Sequence, residues 1–380
     1  MQYPKFKEME RAYGFDEVAL VPGDITVNPD QTDVGFSIGS HRFEFPILAS
    51  AMDAVVSPSS AIAYGKLGGL AVLNLEGVQT RYEDADGVLQ KIADTPQSEV
   101  TSLLQKLYAA PIKDDLVRAR VREIKAGGVP CAVSTTPANT KRLAPVALEA
   151  GMDILVVQST VTTATHTSKS AKGLILSELC EQVKIPVIVG NCCSYNATLE
   201  LMRTGVAAVL IGVGPGAACT SREVLGIGVP QVSATLECAA AREAYLKESG
   251  RYVSIITDGG FRVGSDVCKA FAAGADAVMV GSPLAQAIGA PGHGFHWGMS
   301  HPHPALPRGT RVKVGSVAAL EQILFGPTSV TDGTQNLVGA LRTSMGMCGA
   351  RDLREMQQTR MIIAPSIKTE GKYLQMIQGV

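Results

Sequence analysis

The chain is most easily placed first by what it lacks. It has no excess of charge of either sign: 34 Lys and Arg stand against 35 Asp and Glu, a formal net charge of −1 over 380 residues. So balanced a chain carries no electrostatic footprint for nucleic acid or for an anionic membrane. Long hydrophobic runs are missing too, since none approaches the roughly 18 to 20 residues that span a bilayer. The charged start, MQYPKFKEMERAYG, lacks the apolar core of a secretory signal. A globular cytoplasmic protein is expected. The eight cysteines, at 131, 180, 192, 193, 219, 238, 268 and 348, show no C-x-x-C pair and no regular framework, so reduced thiols are expected. There is also no glycine-rich dinucleotide fingerprint after an early strand, because LGGLAVLNLEG has the wrong spacing. That tells against an open doubly wound sheet.

What the chain does have is apolar residues, 46% of the total, gathered in eight short runs. These are FPILASAM (45–52), GLAVLNLE (69–76), VPCAVSTT (129–136), MDILVVQST (152–160), IPVIVGNC (185–192), AAVLIGVG (207–214), VSIITDGG (253–260) and AVMVGSPL (277–284). They are apolar almost throughout instead of alternating, the pattern of strands buried on both faces. Helix-compatible stretches lie between them at 57–67, 115–127, 140–150, 172–183, 195–205, 234–249 and 264–274. Eight βα units in order predict a closed (β/α)₈ TIM barrel, an α/β fold read as one domain over 1–380. Residues 1–44 read as a cap beneath it, and 291–380 as a lid loop followed by C-terminal helices.

Polar and glycine residues collect at the strand ends: Ser50 and Asp53, Asn74, Ser134 and Thr135, Gln158 to Thr160, Gly190 and Asn191, Gly212 to Cys219, Asp258 to Gly260, and Gly281 with Ser282. In barrels of this kind the C-terminal strand ends build the active site. The stretch GVGPGAACTSREVLGIGVPQ (212–231) sets the lone Cys219 between a glycine-rich loop and a helix start. A helix start favours a thiolate, hence a nucleophile, and the loop carbonyls suit a monovalent cation. The loops after the seventh and eighth runs, TDGGF and VGSPLAQA, read as phosphate nests, with Asp258 ready to accept from ribose hydroxyls. His293, His296, His301 and His303 fit no standard zinc frame and read as solvent-facing loop histidines. Phe295 and Trp297 read as apolar contacts under the lid or between subunits.

Taken together, these stretches resemble the IMP dehydrogenase and GMP reductase family over nearly the whole chain. Residues 212–231 resemble its catalytic loop and ASAMD (49–53) its first-strand nucleotide motif. VIVGNCCS (187–194) resembles its fifth-strand motif, IITDGG (255–260) and AVMVGSPLA (277–285) its ribose and phosphate loops, and NLVGALRTSMGMCGARDL (336–353) its C-terminal helix. The resemblance implies that Cys219 adds to C2 of a purine mononucleotide, forming an adduct from which hydride moves to or from a nicotinamide cofactor, NADP(H) or NAD(H). It implies K+ on the carbonyls of Gly214, Gly216 and Cys219, and a homo-oligomer, a tetramer or octamer. Ser50, Met52, Asp258, Gly259 and Met279 match nucleoside positions, and Gly260, Gly281 and Ser282 phosphate positions. Gln158, Ser159, Thr160 and Asn191 match the cofactor side.

The departures from that family carry as much information. Residues 77–128 are too short for the regulatory CBS insertion, which leaves a catalytic domain alone. Gln158 replaces an aspartate of the nicotinamide riboside site, and Ala217 a phosphate-binding serine. Arg311-Val312-Lys313-Val314-Gly315-Ser316 replaces the motif Y-R-G-M-G-S, so Arg311, Lys313 and Gly315 are expected at the phosphate. The Arg-Tyr pair that activates water in the dehydrogenase is absent from 315–339, while a hydroxyl survives two residues after the thiol as Ser221. The expectation is therefore a GMP reductase of the short, CBS-less branch, with Asp332 as a candidate proton donor. The alternatives are an IMP dehydrogenase using Lys313 or Glu321 as base, and a nucleotide-binding regulator without turnover.

Overall fold

The computed structural model describes residues 8–167, 173–298, 303–365 and 370–377. Each of the eight apolar runs forms a strand: β1 (Ile47–Ala49), β2 (Leu70–Asn74), β3 (Ala132–Thr135), β4 (Ile154–Gln158), β5 (Val187–Cys192), β6 (Ala208–Ile211), β7 (Ser254–Asp258) and β8 (Ala277–Val280). All neighbours pair in parallel, and the ring closes where β8 meets β1, Met279 opposite Leu48. The unbroken apolar character of the runs has a direct cause. Leu48, Val72, Val156, Ile188, Leu210, Ile256 and Met279 point inward and fill the barrel. Their neighbours in sequence, Ile47, Leu73, Leu155, Val189, Val209, Ile255 and Val278, point outward into the layer of helices. A period-two strand between two dry layers has no polar face to show.

Helices follow the strands as the spacing predicts, at Pro58–Lys66, Asp114–Ala126, Pro137–Ala150, Leu176–Val183, Tyr195–Arg203, Gln231–Ser249 and Gly264–Ala272. Ser57 caps the first of them, its side chain accepting from the Ser60 amide at 3.3 Å, with Pro58 preset at the opening position. Two further helices outside the βα repeat, Ala85–Asp94 and Gln97–Tyr108, fill the span after β2. None of the helices among the described residues is long and apolar enough to cross a membrane. All eight cysteines are free thiols.

The segment before β1 divides in two. The hairpin of Phe36–Ile38 and His41–Phe43 pushes Phe36, Ile38 and Phe43 into the interior cluster and so floors the barrel at its N-terminal end. Residues 15–20 run instead along the outer wall: Val18–Leu20 pairs with Met361–Ile363, and Phe15 meets Phe261 with ring centroids 5.2 Å apart. After β8, helix Leu337–Cys348 packs on Gly264–Ala272, where a Cβ on Gly264 would lie 2.5 Å from Ala340 Cβ. This close crossing requires glycine.

The floor yields a stability prediction. Phe43 is 3% exposed, and truncating a core phenylalanine costs about 3–5 kcal/mol. Phe43→Ala should lower unfolding stability by that order in a denaturant titration while leaving the distant rim chemistry in place.

Candidate active site

At the C-terminal strand ends lies a cavity of about 360 Å³. Its wall comes from Ser50 to Met52 after β1, Gln158 to Thr160 at β4, Asn191 in β5, the loop from Gly212 to Cys219 after β6, Asp258 to Arg262 after β7, and Met279, Gly281 and Ser282 at β8. His296 and Gly298 close it from the lid segment. Barrel closure thus gathers residues more than 200 positions apart in the chain around one space.

The glycines of the β6 loop have separate jobs. Gly212 has φ +147°, and a Cβ there would sit 2.3 Å from the Asp258 carbonyl oxygen. Gly214 has φ +80°, and its Cβ would meet the Arg222 stem at 2.8 Å. Both are demanded by the fold. Gly216 is not: a Cβ there would meet no protein atom within 4 Å. The loop ends in a turn, the Cys219 amide donating to the Gly216 carbonyl at 3.0 Å. It is strapped to the lid, with Thr310 N donating to Ala218 O at 2.9 Å and Thr220 N to Arg308 O at 3.2 Å. The Cys219 thiol donates to Ser221 Oγ, 3.3 Å away, and Ser221 itself is buried. The helix expected after the cysteine is short, Ser221–Leu225, stopped by Gly226 at φ +68°.

Across the cavity, Asp258 Oδ2 accepts from Gln158 Nε2 and from Asn191 Nδ2, both at 2.8 Å. Its backbone carbonyl accepts from Gln231 Nε2 at 3.0 Å, which ties the strand end to helix Gln231–Ser249. Burial raises its pKa to about 6, against the pull of the two amides. Gln158 Oε1 is buried without a hydrogen-bond partner. An orphaned acceptor at this depth is costly unless a ligand donates to it.

The expected site residues do not all meet at the cavity. Ser50, Met52, Gln158, Ser159, Thr160, Asn191, Gly214, Gly216, Cys219, Asp258, Gly259, Gly260, Met279, Gly281 and Ser282 line it, with Ser221 behind the thiol. Arg311, Lys313 and Gly315 do not. Arg311 is buried elsewhere, donating to the carbonyls of Ile92 and Ala93 and to Gln97 Oε1, with its guanidinium 4.4 Å from the Phe295 ring centroid. The free carbonyls ending helix Ala85–Asp94 attract it more strongly than an open rim would. Lys313 is exposed on the short ladder with Phe295, and Gly315 makes a turn beside Gly294 at φ +77°. Asp332 is no proton donor here: Thr334 donates to it from its amide and hydroxyl, at 2.9 and 2.6 Å, holding its pKa below the usual carboxylate range. Glu321 lines a different cavity, beside helix Pro58–Lys66.

The lid histidines part company as well. His293 and His303 are exposed as expected, and His301 lies outside the described residues. His296 is the correction: it is 2% exposed, hydrogen-bonded through Nε2 to Ser282 Oγ at 2.8 Å. Two-residue alternation explains it, since pairing of Phe295–His296 with Val312–Lys313 sends Phe295 under Arg311 and His296 into the cavity. Trp297 packs among Ala54, Val78 and Leu104, its Nε1 donating to Tyr108 Oη at 2.8 Å. No group of three or more His, Cys, Asp or Glu able to hold a metal occurs among the described residues. The sequence reading missed His296 and Arg262. Arg262 faces the cavity beside Gly260 and is held by Asp16 at 2.7 Å and Asp266 at 3.2 Å. A basic residue directly after the GGF turn was the available signal for it.

Comparison with known proteins agrees with this fold. The family model of the IMP dehydrogenase / GMP reductase domain matches residues 12–301. An uncharacterized oxidoreductase of Mycobacterium leprae is 40% identical over 363 residues, covering 93% of this chain and 97% of the relative. The inosine-5'-monophosphate dehydrogenase of Methanocaldococcus jannaschii is 28% identical, with 97% of this chain and 96% of the relative covered. Among solved structures, an IMP dehydrogenase/GMP reductase-like protein from Corynebacterium glutamicum superposes with a TM-score of 0.90 at 35% identity, covering 96% of this chain and 97% of that one.

The Asp258 network generates a pH prediction. The folded carboxyl keeps its proton up to about pH 6 and the unfolded one only to about 3.8. Folding therefore favours the protonated form, and stability falls as pH rises through that window. Asp258→Asn should be more stable than wild type at pH 7, by up to about 3 kcal/mol, with the gain closing toward pH 4 in equilibrium unfolding. An equal gain at both pH values would contradict this account.

Proposed function

The chain belongs to the IMP dehydrogenase / GMP reductase family, and on that premise we propose that this oxidoreductase works as a GMP reductase, converting GMP and NADPH to IMP, ammonia and NADP+ through a bond between Cys219 and purine C2. One observation carries the direction. The dehydrogenase must hydrolyse the covalent adduct and needs a base to activate water. Residues 315–339 contain no Arg, Tyr, Lys or His, and Lys313, Glu321 and Asp332 all stand away from the cavity wall. A reductase needs no such base.

In the forward sense, the Cys219 sulfur adds to C2, the C2–N bond breaks, and ammonia leaves with the thiol proton and one from solvent. Ser221, already accepting from the thiol, holds that proton near the sulfur. Asp258 accepts from ribose hydroxyls through whatever capacity Gln158 and Asn191 leave free. A reduced nicotinamide held beside Ser159 and Thr160 would supply the hydride that C2 takes up. Cleavage of the C2–S bond then returns the Cys219 thiolate and IMP. Two protons and one hydride are consumed per ammonium released.

The residues present fit both accessory groups. The orphaned Gln158 Oε1 suits a donor on a nicotinamide riboside, beside Ser159 and Thr160. For potassium the donors are the carbonyls of Gly214, Gly216 and Cys219, neutral oxygens of the class that holds a monovalent ion; the Gly216 carbonyl already takes the Cys219 amide and keeps one lone pair. A cytoplasmic homo-oligomer, tetramer or octamer, completes the proposal. A second reading, IMP dehydrogenase, draws support from the Methanocaldococcus jannaschii relative, an inosine-5'-monophosphate dehydrogenase.

The test is absorbance at the nicotinamide band for GMP or IMP with each cofactor. We expect NADPH oxidation with GMP and equimolar ammonia, and loss of at least about 10³-fold in kcat for Cys219→Ala. NADH formed from IMP and NAD would establish the dehydrogenase instead, and tight nucleotide binding with neither reaction a regulator.

A further inference from the structure

His296 lines the cavity yet belongs to neither the thiol loop nor the Asp258 network. Its Nε2 lies 2.8 Å from Ser282 Oγ, and its Nδ1 is buried with no hydrogen-bond partner. Burial pulls its pKa down to about 4, so at neutral pH the ring is uncharged and carries one proton. If that proton sat on Nδ1, a buried N–H would be left unpaired. On Nε2, only a lone pair is left unpaired. Buried orphan N–H groups are the rarer of the two, so the ring is an Nε2–H tautomer donating to Ser282 Oγ.

The consequence falls on the serine. With its oxygen accepting from His296, the Ser282 hydroxyl keeps its own hydrogen for an acceptor outside the protein. Ser282 is half-buried on the cavity wall next to Gly281, where a Cβ would meet Met52 Sδ at 2.8 Å. The cations expected at this anion site, Arg311 and Lys313, are turned away, and Arg262 is already paired with two carboxylates. Recognition of an anion here falls to oriented neutral donors.

We propose that His296 is a positioning residue for the substrate phosphate: by donating to Ser282 Oγ it fixes that hydroxyl as a donor aimed at the anion. The proposal rests on the reading of this cavity as a purine-mononucleotide site. Because His296 rides on the short ladder with Val312–Lys313, seating of the lid and polarity of the phosphate site become one event.

The test is the dissociation constant of GMP against that of guanosine, measured by calorimetry for wild type, H296L, H296Q, S282A and H296L/S282A. H296L should weaken GMP about tenfold and leave guanosine within twofold. H296Q, whose amide nitrogen reaches the Nε2 position, should restore most of the loss. In the S282A background H296L should add less than twofold. Equal weakening of GMP and guanosine, or a full additional loss in the S282A background, overturns the proposal. If H296L does not fold, H296Q against H296N decides, because the asparagine nitrogen stops near Nδ1 and cannot reach the serine. If wild type binds neither GMP nor IMP, the mononucleotide reading falls and inorganic phosphate becomes the probe. Phosphate binding that depends on His296 only while Ser282 is present then upholds the proposal, and no phosphate binding overturns it.

Discussion

Every functional group in this protein hangs on the closure of β8 against β1. That ladder brings Ser50 and Met52, from the first strand, beside Gly281 and Ser282, from the last, and it is stable because both faces of each strand are dry. Burial of apolar surface is non-directional and drives the collapse; the parallel hydrogen bonds set the register that brings the ends of the apolar stretches together at one face. At that boundary the chain must turn, and there it changes from valine and isoleucine to glycine, serine, asparagine and aspartate. The same change that ends the core begins the site.

The cavity so formed handles charge sparingly. Its half-buried carboxylate, Asp258, accepts from two side-chain amides and meets no cation, and its pKa stands at about 6. Its histidine is neutral, and its arginine is neutralised by Asp16 and Asp266. A ligand entering such a space meets fixed dipoles instead of free ions, which is the environment in which small displacements of donors have large electrostatic effects. The strap between residues 308–310 and the Cys219 loop, and the ladder that carries His296, tie both halves of this polar wall to the segment that follows β8.

The barrel was legible because its signal is local and repeated. Eight apolar runs at helix-sized spacing leave few alternatives, and the observed strands fall within them, with no end trimmed by more than four positions. Helices Ala85–Asp94 and Gln97–Tyr108 escaped because they belong to no βα repeat, although Ala85, Leu89 and Ile92, and Val100, Leu104 and Leu107, stand at helical spacing. In the site, glycine loops and the lone thiol stood out for the same local reason. Arg311 misled because its identity and neighbourhood suited a phosphate, whereas its geometry was set by the carbonyls of a helix over 200 residues earlier in the chain.

Residue pattern alone was enough for the architecture, for the place of the Cys219 thiol on the cavity wall, and for the set of strand ends that surround it, since each depends on neighbours close in sequence. It could not say which side of a two-residue ladder His296 occupies, where Arg311 finds its partners, or that Gln158 and Asn191 converge on one oxygen of Asp258. Those facts depend on contacts between segments with no fixed separation along the chain. They came into being only when the ring closed and the lid lay down across it.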